Sequence, residues 1–374
     1  MKKTIIVGMI RIMRIILSLI YAAFKFIPVD KRKIIFLSRQ SNELTLDFRL
    51  LKDELEKQDR NIKIVVVCCR VDDRKKGMSR FAIAIVRSMY HLATSSVCVI
   101  DSYWPAVSML KHKKSLTVLQ MWHALGAVKK FGYQTLEKES GRDRRIAEAM
   151  SMHRNYDYVI AGGTEWNKYY CEAFNITEDR ILNTGLPRID YLLKTEKINR
   201  AHILKKYPQF AEKPVILYAP TFRRNGSGSG EELLDMFDYN KYSIVVKNHP
   251  NQPLAFTNDN IYYCPEFTAI EMLSVCEYVI TDYSAISLEA AILRKKTLYY
   301  LYDYDEYKAQ NGLNVDPLQS MPECSCQKAE QIVNIINNGN YNMKELEAYR
   351  SKYLPAEMGR SAQKLASIIC RMYE

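Results

Sequence analysis

Five short clusters in this sequence carry side chains that can bind an anion or move a proton, and nearly all follow an apolar, β-prone run. Tyr278-Val279-Ile280 leads into Thr281-Asp282-Tyr283-Ser284-Ala285, after which Ile286, Ala290 and Leu293 recur at helical spacing. Thr281, Asp282 and Ser284 are good N-cap residues, so the spacing predicts strand, polar turn and a helix over 284–293. A helix start offers N–H donors and partial positive charge, which suit a phosphate. Glu289, about one turn further on, would repel a phosphate and is better suited to ligand hydroxyls.

The second cluster is Trp122-His123-Ala124-Leu125-Gly126-Ala127, with Lys129 and Lys130 close behind. A histidine at a strand end is placed to meet a ligand, and with an ordinary pKa of about 6.5 it can accept a proton near neutral pH. Gly185-Leu186-Pro187-Arg188 offers a guanidinium on a rigid turn. Tyr218-Ala219-Pro220-Thr221-Phe222-Arg223-Arg224 and Lys247-Asn248-His249-Pro250 close two further apolar runs with cations, an amide and an imidazole, all donors for phosphate oxygens.

The elements that must position these clusters alternate. Apolar runs at 34–37, 64–68, 97–100, 117–122 and 158–161 are separated by helix-period or polar stretches such as 47–57 and 80–91. After a charged segment near 194–206 the pattern restarts, with strands expected at 215–219, 243–247, 278–280 and 297–301. Alternation of this kind predicts an α/β fold of two Rossmann-like, doubly wound domains. Ligands of such sheets bind outside the carboxyl ends of the strands. The glycine-rich stretch 225–230 has neither GxxxxGK[ST] nor GxGxxG spacing, and is expected to be a mobile loop.

A chain of 374 residues exceeds the roughly 250 to 300 at which single cores stop growing, which also argues for two domains. The net charge of +12 suits an anionic partner. No nucleic-acid motif accompanies that charge, so a nucleic-acid partner is not expected. Nine scattered cysteines without metal-ligand spacing read as reduced cytosolic thiols. Residues 4–27 are strongly apolar, but Arg11 and Arg14 limit the longest uncharged run to ten residues, 15–24. That is short of the roughly 20 a bilayer span needs. On a helical wheel Arg11, Arg14, Ser18 and Lys25 share one narrow arc, the pattern of an amphipathic helix lying in the membrane interface.

Taken in order, WHALGAVKKFGY, GLPRID, YAPTFR, KNHP and TDYSAISLEA followed by DYDEY resemble the CDP-glycerol glycerophosphotransferase family of teichoic acid synthesis, from about Ile34 onward. The resemblance implies a two-domain GT-B glycosyltransferase-like architecture. It also implies a monotopic position on the cytoplasmic face of the cell membrane, and transfer of glycerol phosphate from CDP-glycerol to a lipid-linked acceptor. By the same resemblance His123 matches the proposed base, while Arg188, Arg223, Lys247, His249 and Ser284 match positions holding the donor's phosphates. Glu289 matches an acidic position assigned to donor hydroxyls. Ala124 stands where the family usually has glycine, Ala285 where it has a second serine, and Glu289 where it has aspartate.

The resulting expectations are a membrane-interface helix over 1–29, an acceptor domain over 30–194 and a CDP-donor domain over 195–374. The last helix, about 361–374, is expected to pack back toward the first domain. Substrate contacts are expected from Ala124, Leu125, Gly126, Ala127, Arg188, Phe222, Arg223, Lys247, Asn248, His249, Asp282, Ser284, Ala285 and Glu289. No metal or other cofactor is expected, because fixed cations can stabilise the transferring phosphate. Two further readings stay open: a CDP-ribitol or nucleotide-sugar transferase on the same fold, and a catalytically silent module that binds membranes or polyanions.

Overall fold

Twelve parallel strands in two sheets form from the apolar runs of the described residues, 2–70, 75–221, 223, 230–248 and 258–373 of this computed structural model. The first sheet comprises β1 (Asp30–Ser38), β2 (Lys63–Cys68), β3 (Ser95–Ile100), β4 (Thr117–Gln120), β5 (Tyr158–Ile160) and β6 (Ile181–Leu182), in the order β2-β1-β3-β4-β5-β6. Ile34 pairs with Ile64 on one side and Val97 on the other. Ile34 to Leu37 and Val97 to Ile100 are fully buried, and a strand covered on both faces reads as a continuous apolar run rather than an alternation. The order reverses direction between β1 and β3, so loops leaving those neighbouring strands diverge and open a crevice at their carboxyl ends.

The second sheet contains β7 (Val215–Tyr218), β8 (Ser243–Val246), β9 (Ile261–Tyr262), β10 (Tyr278–Thr281), β11 (Lys296–Tyr300) and β12 (Ser325–Cys326). Its order is β12-β11-β10-β7-β8-β9, the dinucleotide-fold order, with the reversal between β7 and β10. The two runs that end in YAPTFR and TDYSA are therefore the pair flanking its switch point.

The chain divides into one unit of Met1–Ala124, Phe131–Asp190 and Arg360–Glu374, and another of Leu125–Lys130 and Tyr191–Gly359. Residues 125–130 are placed in the second unit by the Lys129 to Leu313 bridge and by Asn314, whose N–H and Nδ2 donate to the carbonyls of Val128 and Ala127, each at 2.9 Å. The charged stretch 194–206 lies within the helix Arg188–Lys206, with most of its charges solvated. The helix Ser361–Arg371 packs on α2 (Leu46–Gln58), with the Ser361 and Ala362 N–H groups capped by the Asp190 carboxylate at 2.9 and 3.0 Å.

Before β1 stands α1 (Lys2–Phe24), lying against α3 (Lys75–Thr94) and the short helix Arg144–Ala149. Lys3 pairs with Asp143 at 3.0 Å near its start, and the Tyr21 hydroxyl meets His112 Nδ1 at 2.8 Å near its end. Ile5, Met9, Ile12, Ile16 and Leu19 are exposed, as are Met78, Ile83 and Val86 of α3. By length and composition Lys3–Phe24 could cross a membrane, so the shortfall inferred from the ten-residue uncharged run does not hold on those grounds.

Candidate active site

His123 follows β4 and is oriented from two sides. Its Nδ1 lies 3.1 Å from the main-chain carbonyl of Asp101, at the end of β3. Its own carbonyl accepts from the Arg188 guanidinium at 3.0 Å. Trp122 sits at φ 61°, a left-handed conformation unusual for a bulky residue. In that pose its ring packs on the His123 ring, with centroids 4.2 Å apart, and stacks on Phe131 at 4.4 Å. Because a carbonyl only accepts, the Asp101 contact calls for the imidazole proton on Nδ1. Ala124 follows, half-buried, while Leu125, Gly126 and Ala127 are buried in the second unit.

Arg188 opens the helix Arg188–Lys206 and is bonded to Asp47. Its N–H and Nε donate to the two oxygens of Asp47 at 2.8 and 2.7 Å, and Nη2 also bonds that carboxylate. Asp47 is 2% exposed, and a buried carboxylate requires such a partner. The arginine thus fixes the backbone of His123.

In the second unit the switch point is closed by Asp282. Its two oxygens each accept from the Thr221 N–H at 3.0 Å, and the Thr221 hydroxyl also bonds it. Asp282 therefore does not cap the following helix, Ile286–Ile292, whose N-cap position is Ala285. Ser284 Oγ accepts from the Ile286 N–H at 3.4 Å, which leaves its hydroxyl proton for another acceptor. Ser284 and Ala285 are half-buried.

Arg223 is bonded within the second unit. It donates through Nε and Nη2 to Asp303 at 2.6 and 3.1 Å, through Nη1 to the Thr221 carbonyl at 2.8 Å, and lies 2.9 Å from Asp282. The rings of Tyr283, Tyr302 and Tyr307 surround it, and Tyr283 and Tyr307 stack at 3.8 Å. With 7% exposure the guanidinium is an internal tie between the loops after β7, β10 and β11. Lys247 directly follows β8. Its ammonium donates to the carbonyls of Tyr263, Cys264 and Phe267 at 2.7, 2.6 and 2.5 Å, so all three of its protons are used. Asn248 follows, half-buried. Glu289, at 3% exposure, belongs to the inner face of its helix rather than an open surface. Phe222 and His249 lie outside the described residues.

Lys129 is a cation whose part the sequence did not reveal. Its backbone is fixed by the bridge to Leu313, and its ammonium stands in the attractive field of Asp282 and the repulsive field of Arg223. Burial pushes its pKa down. Among the described residues no hydrogen bond or ion pair of that ammonium is seen. Asp47 and Asp101 were equally unmarked as site residues, since a lone aspartate in sequence gives no sign of the distant partner it is buried with. Among the described residues no group of three or more His, Cys, Asp or Glu side chains converges as metal ligands.

Relatives share this chain at full or partial length. It is 29% identical to the teichoic acid poly(ribitol-phosphate) polymerase of Bacillus spizizenii, over 93% of this chain and 58% of that protein. It is 27% identical to the teichoic acid ribitol-phosphate primase of the same organism, over 95% of this chain and 96% of the relative. It is also 27% identical to the teichoic acid glycerol-phosphate primase of Bacillus subtilis, over 77% and 76%. Among solved structures, a variant of the wall teichoic acid polymerase TagF superposes with a TM-score of 0.76 at 16% identity, covering 99% of this chain and 98% of TagF. A UDP-GlcNAc 2-epimerase from Neisseria meningitidis shares the fold at a TM-score of 0.58 and 13% identity, over 91% and 100%. The CDP-glycerol:poly(glycerophosphate) glycerophosphotransferase model matches residues 19–371, and the chain belongs to that family.

Proposed function

We propose that this chain is a GT-B-like phosphotransferase that moves a polyol phosphate, glycerol phosphate first, from its CDP ester to a hydroxyl of a lipid-linked acceptor in teichoic acid synthesis. The observation that carries the reading is the contact of His123 Nδ1 with the Asp101 carbonyl, at the end of a strand in a chain of this family. The acceptor hydroxyl gives its proton to Nε2 as its oxygen bonds the β-phosphorus. The bond from that phosphorus to the oxygen bridging to the α-phosphate breaks, and CMP leaves with the electron pair. Cationic and hydroxyl donors stabilise charge on the transferring and leaving groups.

In the second unit, Lys129 and Ser284 are the donors we assign to the phosphates, with His249 as the family motif implies. Lys129→Ala is expected to weaken binding of the CDP-polyol about ten- to hundredfold, the range for one charge-assisted contact. Titration calorimetry of the full chain measures this, and unchanged affinity removes Lys129 from the site. Release of CMP from CDP-glycerol and CDP-ribitol, against UDP release from UDP-sugars, tests the activity itself. The ribitol-named relatives make CDP-ribitol the specific rival. Turnover of UDP-sugars alone, or of nothing, overturns the reading.

The membrane part of the proposal rests on α1. Both of its ends are tied to the first unit, through Lys3 with Asp143 and Tyr21 with His112. A crossing helix of 23 residues would carry those ends about 34 Å apart to opposite faces of the bilayer. Lying in the interface instead, α1 and α3 present their exposed Ile, Leu and Met side chains to acyl chains, with Arg11 and Arg14 beside them for anionic headgroups. Removing residues 1–27 is expected to release the protein to the soluble fraction, and alkaline carbonate to extract a fair share of the full chain. Extraction by detergent only, with an N-terminal tag shielded from protease on the cytosolic side, defeats this placement.

A further inference from the structure

The crevice of the first sheet is closed by one residue that grips two others. The Asp101 carboxylate accepts from the hydroxyls of Ser38 at 2.7 Å and Ser102 at 3.0 Å. Those hydroxyls in turn accept the consecutive N–H groups of Gln40 and Arg39, each at 3.1 Å. Ser38, Asp101 and Ser102 are all buried, and they join the ends of β1 and β3 at the point where strand order reverses. The loop leaving β1 is thereby held in one place. From it the exposed Gln40 side chain reaches back, its amide, with Nε2 as the nearer end, 3.3 Å from His123 Nδ1.

That amide has one chemically consistent orientation. The Asp101 carbonyl already requires a proton on Nδ1, and an N–H cannot face an amide NH₂ productively. The two ends of a glutamine amide are assigned from such networks, so the oxygen is the end that belongs beside the ring. We propose that Asp101 and Gln40 are positioning residues for His123: the Asp101 main chain and the Gln40 amide oxygen together hold the imidazole proton on Nδ1, and the Asp101 carboxylate keeps Gln40 in reach. The inference rests on His123 being the base.

Among the described residues, the Cys68 thiol, Asp47, Arg188 and Arg39 are the titratable groups around this network, and burial, helped by the nearby Asp101 charge, raises the thiol. Arg188, paired with Asp47, donates to the His123 carbonyl, and Asp47 also bears on the Asp101 carboxyl. The Arg39 guanidinium is turned away, donating to the Tyr103 carbonyl at 3.2 Å and lying over the Phe81 ring. Burial, opposed by the serine hydroxyls and aided by Asp47, leaves the Asp101 carboxyl raised to about 6. Above that range it is ionised and can accept from both serines.

The test reads the ring without turnover. In the full chain carrying ¹⁵N-histidine, NMR of the His123 ring, assigned by its loss in His123→Ala, shows which nitrogen is protonated and where it titrates. The expected result is Nδ1–H in the neutral wild-type ring. Gln40→Glu should raise the titration midpoint by about one pH unit, because a carboxylate then faces the Nδ1 proton, and the midpoint of the pH–rate curve should follow. Gln40→Ala should lower the Nδ1–H share and cut turnover by up to about a hundredfold with donor affinity kept. Asp101→Asn should do the same; if it fails to fold, the exposed Gln40 variants decide. An Nε2–H ring in the wild type, or a midpoint unmoved in Gln40→Glu, overturns the proposal even if His123 is the base. Normal turnover by His123→Ala would instead overturn the base assignment while leaving the ring geometry as found.

Discussion

His123→Ala should bind the CDP-polyol nearly as well as the unaltered protein and turn it over roughly 10² to 10⁴ times more slowly, the usual worth of a positioned base. The two effects separate because the imidazole acts on the acceptor's proton and not on the donor. In the unaltered protein the rate should rise with pH and then level off, since only the neutral ring accepts a proton and its fraction saturates above the ring's titration. Initial rates of CMP release across pH, beside calorimetric donor affinities, check both parts. Wild-type turnover by the alanine variant transfers the base role to His249 as the next candidate.

Arg223→Ala should cost the second unit about 3 to 5 kcal/mol of stability, because it strands two carboxylates in a protein interior. Asp282 is 2% exposed and loses its cation, while Asp303 loses two hydrogen bonds at once. Arg223→Lys should recover little of this, since a point charge cannot reproduce two parallel N–H bonds to Asp303 and the packing among three tyrosine rings. Hydrogen exchange resolved by segment, with urea melts, measures the loss. An unchanged melt combined with lost donor affinity would instead make Arg223 a phosphate ligand.

The long strands were legible because burial on both faces leaves unbroken apolar runs, as at 34–37 and 97–100. The two-residue edge strands β6, β9 and β12 left no such trace, since a pair of residues shows no period. The chemical clusters stood out by residue type and by following strands. What each cation is bonded to did not, because Arg188 meets Asp47, and Arg223 meets Asp303, only through the fold. The partners of Lys247 were hidden for a related reason: backbone carbonyls are invisible in a sequence, and three of them accept from its ammonium. Lys129 was visible as a charge, but its association with the second unit depends on the Leu313 bridge.

The way the chain is shared between the units constrains its biosynthesis. It passes from one unit to the other at 124/125, 130/131, 190/191 and 359/360. During synthesis the first sheet emerges from the ribosome early, yet the helix that covers α2 and caps on Asp190 is made only after the whole second unit. The first unit must therefore wait, with the α2 surface open, while the second completes its sheet. A nascent chain arrested near residue 359 should expose that surface to chaperones, and supplying residues 360–374 as a separate peptide should close it.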